Sequence, residues 1–344
     1  MNLLRKKSPI RSVRAMNGGP METASPFLFV VYHKDEYPAG NERMEHPSKV
    51  GNGMDFDQNA KFRMYHGSRV PGFPSHPHRG FETITGTLDG VVDHADSLKN
   101  CGRYGKGDVQ WMTAGAGIQH SEMFPLIHTD KPNKLRLFQI WLNSPRANKM
   151  VPPVFKMLWA NEIAKWDSED ALSHATIWCG EFKGVAATTS PPDGSYASKP
   201  ESKVGVFHLK IEEGGTLELD PAEGKRSLYM VEGSECNVGG TKVKRGVHAT
   251  FIETDATANI TIDCQSSTCE FLVLQGVPIP EPVVQHGPFV MNSREEIMQT
   301  FEDYQRTHFG GWPWERSDMV FPRTKGRFAI LNGVESSPPD NELL

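Results

Sequence analysis

The sequence predicts an all-β protein with two tandem β-barrel domains followed by one C-terminal α-helix. Short apolar runs separated by turn residues fill both halves of the chain, and glycine (32) and proline (25) are abundant. The 344 residues also exceed what a single hydrophobic core usually serves. The turns Asp89-Gly90 and Glu232-Gly233 each follow an apolar strand, which indicates an internal duplication.

Composition and turn signals predict where the chain divides. The predicted segments are a basic, disordered leader (1–25), a first barrel (26–150) with an irregular insertion at about 33–69, a connector (151–174), a second barrel (175–290), a helix (291–311) and a tail (312–344). The helix is predicted because Ser293 and Glu296 have capping-box spacing and Ile297, Phe301 and Tyr304 form an apolar stripe.

Bulk properties exclude several classes of protein. The net charge of −5 argues against direct binding of nucleic acid, and no apolar run is long enough to span a membrane. The five cysteines form no C-x-x-C motif, which favours a reducing compartment. We therefore expect a monomer in the cytoplasm, the nucleus or both. The basic leader is compatible with an organellar signal, a nuclear signal or a disordered arm, and the arm is favoured.

Two short motifs supply the chemistry. His76-Pro-His78 and His120-Ser-Glu122 each place two metal-ligating side chains one residue apart. On an extended strand such pairs share a face, because side chains alternate with a period of two. Two strands facing each other across a barrel would then bring three nitrogens and one carboxylate to one ion. This set of ligands suits iron, manganese, nickel, copper or zinc.

The other histidines are predicted to lie outside this site. His33, His46, His66 and His94 are expected at the surface. The second half has no His-x-His or His-x-Glu motif, so the second barrel is predicted to carry no metal ligands. The predicted walls of the metal pocket are apolar: Phe73, Phe81, Trp111, Met112, Met123 and Phe138.

Over roughly residues 27–309 the sequence resembles the pirin family. The resemblance is carried by His76-Pro-His-Arg-Gly-Phe-Glu-Thr83, Gly107-Asp-Val-Gln-Trp-Met-Thr-Ala-Gly115, Gly117-Ile-Gln-His-Ser-Glu-Met123 and Glu281-Pro-Val-Val-Gln-His286-Gly-Pro-Phe-Val-Met-Asn292. It implies two tandem cupin (jelly-roll) barrels with one divalent metal in the first. The implied metal is Fe(II), with Ni, Cu, Mn and Zn as alternatives, and the implied ligands are His76, His78, His120 and Glu122. Glu82, the usual carboxylate ligand of other cupins, is expected beside the pocket.

The resemblance also implies two alternative functions. The first is a flavonol (quercetin-type) 2,3-dioxygenase, which takes a small aromatic substrate and dioxygen and uses Glu122 as both ligand and catalytic base. The second is a transcriptional co-regulator that binds a protein partner according to the oxidation state of its iron. Ala116 stands where the family often has arginine, and the 33–69 insertion would remodel any partner surface. The dioxygenase is the favoured interpretation.

Overall fold

A computed structural model describes residues 8–16 and 18–341 of the chain. The strands of the first half are β1 (Ile10–Met16), β2 (Phe27–Tyr37), β3 (Gly72–His78), β4 (Phe81–Asp89), β5 (Val91–Asp96), β6 (Cys101–Gly105), β7 (Val109–Thr113), β8 (Ile118–Met123), β9 (Asn133–Asn143), β10 (Val154–Leu158), β11 (Ala164–Asp167) and β12 (Ser173–Cys179). The second half contributes β13 (Glu181–Phe182), β14 (Val185–Ala186), β15 (Gly205–Ile211), β16 (Gly215–Leu219), β17 (Lys225–Glu232), β18 (Glu235–Val238), β19 (Thr241–Lys244), β20 (Ala249–Thr254), β21 (Ile260–Cys264), β22 (Cys269–Gly276), β23 (Val284–His286), β24 (Phe289–Met291), β25 (Phe328–Leu331) and β26 (Val334–Ser336).

Helical structure is sparse within the described residues. It consists of one α-helix, α1 (Arg294–Thr307), and the short 3-10 helices Arg146–Asn148, Tyr196–Ser198, Pro200–Ser202 and His308–Gly310. The all-β prediction is therefore confirmed. No helix among these residues combines the length and apolar character that a membrane span requires.

The first-barrel unit comprises residues 31–161, 192–195 and 280–341. A five-stranded sheet, in the order β10-β7-β4-β9-β2, and a six-stranded sheet, in the order β26-β25-β6-β5-β8-β3, enclose its core. Both sheets contribute buried apolar side chains to that core, among them Val92 and Ile118 from one and Met112, Leu137 and Phe155 from the other. Burying one face of each sheet against the other is the main source of stability for such a layered unit.

The second-barrel unit comprises residues 8–16, 18–30, 162–191 and 196–279. A seven-stranded sheet (β1-β20-β17-β22-β15-β12-β11) packs on a four-stranded sheet (β16-β21-β18-β19). Leu209, Leu228 and Phe271 from the larger sheet meet Leu217 and Ile262 from the smaller one in a buried core.

The N-terminal segment differs from the predicted disordered leader. Residues 10–16 form β1, which pairs antiparallel with β20 at the edge of the larger sheet of the second-barrel unit. Its basic residues have acidic neighbours there, since Arg14 lies 2.6 Å from Glu22 and Arg11 lies 3.8 Å from Asp255. The basic character that suggested a free arm therefore reflects strand docking. Arg5, Lys6 and Lys7, which belong to the predicted leader, lie outside the described residues.

The connector and the tail also contain strands. Strand β10, within predicted connector 151–174, pairs with β7 and so completes the first barrel, while β11 pairs with β12. Within predicted tail 312–344, β25 pairs with β6 and with β26. A buried ion pair explains why this tail docks: Arg103 binds Asp93 at 2.7 Å and also donates to the carbonyl oxygens of Phe321, Pro322 and Lys325.

Helix α1 forms where it was predicted. The capping box is present, because Ser293 Oγ accepts from Glu296 N and the Glu296 carboxylate accepts from Ser293 N. The predicted apolar stripe packs against Phe289 and Phe309. Phe309 in turn sits where a side chain on Gly117 would be, 2.7 Å from an added Cβ. Only glycine allows this close approach.

The 33–69 insertion is anchored by a buried polar chain. Arg63 Nε donates to Asp35 at 2.8 Å, and Tyr65 Oη donates to the other oxygen of Asp35 at 2.7 Å. His33 Nδ1 lies 2.7 Å from Tyr65 Oη, and the hydroxyl proton is already committed to Asp35, so the imidazole is the donor. His33 is buried, and its predicted surface position is wrong. His66 is exposed as predicted.

Candidate metal centre

The two ligand motifs lie on adjacent antiparallel strands, β3 and β8, of the six-stranded sheet. The expectation that they face each other across the barrel is wrong. His76 pairs directly with His120, and Phe73 pairs with Glu122, so β3 has one extra residue between the two pairs. Because of this bulge, Phe73 and His76 pair with Glu122 and His120, which share a face of β8, although they are three residues apart rather than two.

The three imidazoles converge. Ligating nitrogens of His76, His78 and His120 all lie within 4.8 Å of one another. The ring centroids are 4.5 Å apart for His76–His120, 4.8 Å for His76–His78 and 4.9 Å for His78–His120. His120 is completely buried, His78 is 3% exposed and His76 is half-buried.

The nitrogens of this group fit a metal ion. His78 Nδ1 and both ring nitrogens of His120 are buried and have no hydrogen-bond partner, a costly state unless something binds them. His76 Nδ1 lies 2.9 Å from the carbonyl oxygen of Pro74, which accepts its proton and leaves Nε2 as a free ligand atom. The same set of donors was predicted from the sequence.

Burial keeps the three imidazoles neutral. It lowers the pKa of His76 to about 4, against a smaller opposing effect of the Pro74 carbonyl. It also lowers the pKa of His78 and His120 well below the ordinary value, and neighbouring histidines add to the effect. A neutral imidazole has the lone pair that a metal requires, so no proton must be removed at neutral pH.

Glu122 lies at the edge of the group. Its Oε2 is 3.9 Å from His120 Nε2 and accepts from Gln139 Nε2 at 2.6 Å. Its Oε1 accepts from Thr85 Oγ1 at 2.9 Å and from Tyr104 Oη at 3.4 Å. Burial raises the pKa of Glu122, while nearby His94 and these hydrogen bonds oppose the rise. The fourth predicted ligand is thus oriented by neutral donors beside the imidazoles.

His94 is a buried neighbour that the sequence did not reveal. It is directly opposite Glu122 across β5 and β8, and its ring centroid is 5.4 Å from that of His120. Both ring nitrogens are buried and make no hydrogen bond, and Nε2 lies 3.6 Å from Asp96 Oδ2. The predicted solvent-facing position is wrong because both adjacent acids are bound inside the protein: Asp93 binds Arg103, and Asp96 accepts from the backbone N–H groups of Leu98 and Asn100. One signal in the sequence could have indicated its burial: apolar Val92 lies two residues earlier on the same strand and therefore on the same face.

Glu82 lies on the face of β4 that points away from the imidazoles. Its Oε2 accepts from Trp111 Nε1 at 2.7 Å and from Thr113 Oγ1 at 3.5 Å. Its neighbour Phe81 points toward the site instead, with its ring centroid 5.0 Å from that of His78. The expectation that Glu82 borders the pocket is therefore wrong.

The walls of the site are partly those predicted. Three of the predicted wall residues point away from the site, because a neighbouring residue on the same strand faces the imidazoles and successive side chains point to opposite faces: Trp111, Met123 and Phe138. Trp141, which was not predicted, lies 5.4 Å from His78 between ring centroids. Its side chain is half-buried, as are those of Phe73, His76 and Gln139, so these four border the approach to the site.

A separate cavity of about 460 Å³ opens elsewhere in the first-barrel unit. It is lined by residues 88–91, 124–128 and 131–135, with Tyr37 and Lys106. None of the three histidines lines it, so its volume says nothing about the space beside them.

The chain is similar to known proteins in both sequence and fold. Among protein families, Pirin matches residues 10–142 and Pirin C-terminal cupin domain matches residues 206–310. A Pseudomonas aeruginosa protein provisionally named quercetin 2,3-dioxygenase is 36% identical over 242 residues, 69% of this chain and 79% of its own. Pirin of Rattus norvegicus is 33% identical over 254 residues, 72% of this chain and 81% of its own. The crystal structure of quercetin 2,3-dioxygenase from Acinetobacter baumannii is similar with a TM-score of 0.70 at 26% identity, covering 89% of this chain and 99% of that one.

Two strand-built units, one of them holding a buried group of three imidazoles, define a protein of the bicupin class. Both families match in the expected order, and relatives above 30% identity extend over more than two thirds of their own length. The chain belongs to the pirin family, and the resemblance on which the fold prediction rested is confirmed.

Proposed function

We propose that this chain is a metal-dependent dioxygenase, with Fe(II) as its metal and a flavonol-like phenol as its substrate. The observation that carries the proposal is the group of three neutral imidazoles beside the Glu122 carboxylate, in which His78 Nδ1 and both nitrogens of His120 are buried without a hydrogen-bond partner. The similarity to a quercetin 2,3-dioxygenase structure supports the substrate class. Three histidines and one carboxylate would leave one or two coordination positions of the ion open for reactants.

His76, His78, His120 and Glu122 would hold the ion. When bound, ferrous iron supplies the redox capacity that dioxygen chemistry needs. The chain's own contribution begins with Pro74, whose carbonyl fixes the tautomer of His76. Burial of the other two rings excludes the protons that would compete with the metal.

Glu122 is the proposed base for the acidic hydroxyl of the substrate. A proton is best received at Oε1, because the Thr85 and Tyr104 hydroxyls that donate there can rotate and accept instead. The Gln139 amide at Oε2 cannot reverse its role in this way. Gln139 therefore holds the carboxylate in place, while Oε1 takes the proton.

Aromatic side chains at the approach suit a flat substrate. Trp141 and Phe81 lie 4.3 Å apart between ring centroids, and both contact the His78 ring. Phe73 lies 6.3 Å from His76 between ring centroids. A planar ligand packed on the half-buried rings of Trp141 and Phe73 would exclude water and align its hydroxyl with Glu122.

The test is oxidation of a flavonol by chain loaded with ferrous iron under anaerobic conditions. We expect the quercetin absorbance to decay after oxygen is added, and no decay with His78→Ala. His128→Ala is the matched control, since it makes the same substitution in the same unit outside the group. Loaded at a ferrous iron concentration well above its Kd, Glu122→Gln should keep its iron through the three histidines but lose about 10²–10⁴-fold in turnover, the usual contribution of a general base.

Two outcomes would contradict this proposal. Full turnover in Glu122→Gln would remove Glu122 from the role of base. Iron that binds and cycles between oxidation states while the flavonol stays intact would contradict the enzyme, and would favour the regulatory alternative.

A further inference from the structure

We propose a second metal site, in the second-barrel unit, where Cys236, Cys264 and Cys269 bind one soft monovalent ion of the Cu(I) type. The three side chains come from different elements: β18, the end of β21 and the start of β22. Their Sγ atoms all lie within 4.8 Å of one another. The site is independent of the histidine group and of the dioxygenase proposal.

The cluster is buried and rich in sulfur. Cys264 and Cys269 are completely buried and Cys236 is 6% exposed. The Sδ of Met230 lies 3.9 Å from Cys236 Sγ and offers a fourth sulfur. None of the three cysteines forms a disulfide. Cys269 Sγ also lies 3.4 Å and 3.8 Å from the carbonyl oxygens of Ser267 and Glu235, which accept only weak S–H hydrogen bonds.

Three thiolates and a thioether select the class of ion. Soft sulfur ligands favour Cu(I) over the oxygen-preferring ions, and three sulfurs at these separations suit a low coordination number. Binding forms bonds from sulfur to the ion and releases the thiol protons to solvent, with no change in oxidation state. The ion also neutralises one thiolate charge, and so offsets part of the cost of placing thiolates in an apolar core, which includes Leu217 and Ile262.

The cluster lies directly beneath a surface loop and one backbone segment, so the path for an ion from solvent is short. Cys264 and Cys269 are joined by the polar loop 265–268, in which Gln265 and Ser266 are exposed. The backbone at Gly233 passes directly over Cys269, because a Cβ there would lie 2.6 Å from Sγ. A single buried cysteine is often only a small apolar residue, but convergence of several on one point creates a set of soft ligands. Three of the chain's five cysteines converge in this way.

The test is titration of the reduced, full-length chain with Cu(I) under anaerobic conditions, against bicinchoninate as a competing chelator. We expect one tightly held Cu(I) per chain, whose copper-edge X-ray absorption shows sulfur neighbours. Cys264→Ser should weaken binding by more than about 100-fold, since removing a ligand costs more than removing one of its outer partners. Cys179→Ser is the matched control, because Cys179 is buried in the same unit outside the cluster.

Thermal unfolding of both metal-free variants shows whether each is folded. If Cys264→Ser does not fold, the absorption spectrum of the wild-type chain decides alone. Nitrogen or oxygen neighbours around the copper would overturn the proposal by assigning the ion to the histidines. Unchanged affinity in a folded Cys264→Ser variant would overturn it as well.

Discussion

The hydroxyl of Thr85 orients Glu122, because its Oγ1 lies 2.9 Å from Oε1 inside the barrel. Thr85→Val removes this donor while keeping nearly the same shape. If Glu122 is a metal ligand, the loss of its support should lower Fe(II) affinity by about 10–100-fold. Metal-binding titration checks the value.

Thr87→Val is the control for this substitution. Thr87 lies two residues further along the same strand, is equally buried, and donates to the carbonyl oxygen of Asp108 rather than to Glu122. Equal iron affinities in the two variants would show that Thr85 does not orient Glu122 for metal binding.

His33 makes the chain sensitive to acid. Burial, with a smaller contribution from the Arg63 charge, lowers the pKa of His33 to about 3. The unfolded chain takes up this proton below about pH 6.5, whereas the folded chain does not. His33 therefore costs no stability above that pH, and the free energy of unfolding falls as the pH drops from 6.5 toward 3.

His33→Phe should remove one proton from this linkage. Between about pH 4 and 6, we expect the free energy of unfolding to change with pH less steeply than in the wild-type chain, by about 1.4 kcal/mol per pH unit. Urea unfolding at several pH values measures the slope. His66→Phe is the matched control, because it makes the same substitution at an exposed position of the same segment. A slope in His33→Phe identical to that of the wild-type chain would show that His33 is not held neutral.

At the residue scale, the sequence predicts what depends on local spacing. The His76–His78 and His120–Glu122 pairs follow from the two-residue period of a strand. Val92 gave the same kind of local signal for His94, but the neighbouring Asp93 favoured a surface position, because its partners Arg103 and the backbone N–H of Phe321 could not be read from the sequence. The sequence shows an acid beside a histidine, but not which partner binds the acid.

Strand β1 protects the edge of the second-barrel sheet. Deleting residues 1–16 would remove the hydrogen bonds between β1 and β20 and expose β20 to other chains. We expect the free energy of unfolding to fall by at least about 2 kcal/mol, as several bonds are worth roughly 0.5–1.5 kcal/mol each. We also expect self-association. Calorimetry and light scattering measure the two effects.

Deletion of residues 1–7 is the matched control for β1. It removes basic residues but leaves the strand. A disordered leader would make the two truncations equivalent, and that result would contradict the docking of β1. Arg14 shows why the sequence suggested a leader. One of its acidic partners, Glu22, is near in sequence, but the other, Glu253, is remote and could not be assigned to it.

At the scale of the whole molecule, bound metal should stabilise the fold. The histidine group forms only when β3 and β8 are paired, so the folded chain binds the ion far better than the unfolded chain. At a free concentration 100 times the Kd, Fe(II) should add about 2.7 kcal/mol to the free energy of unfolding. A chelator should reverse the gain, and His120→Ala should abolish it. A gain that persists in His120→Ala would place the ion elsewhere.

Over the whole chain, the sequence predicts the order of the strands and the helix better than it predicts which strands pair with each other. Both barrels and helix α1 follow from strand patterns and a capping box that are local in sequence. Strands β1 and β25 are short segments near the ends of the chain, and each pairs with a strand remote in sequence, β20 and β6 respectively, while β26 pairs with β25. The weak local patterns of such short strands carry too little information to predict them.

The most direct test of the metal centre is anomalous diffraction at the iron edge from crystals of the iron-loaded chain. We predict one strong peak within bonding distance of nitrogens of His76, His78 and His120 and of a carboxylate oxygen of Glu122. A histidine group without a peak, or a peak that Glu122 does not reach, would contradict this assignment of the ligands.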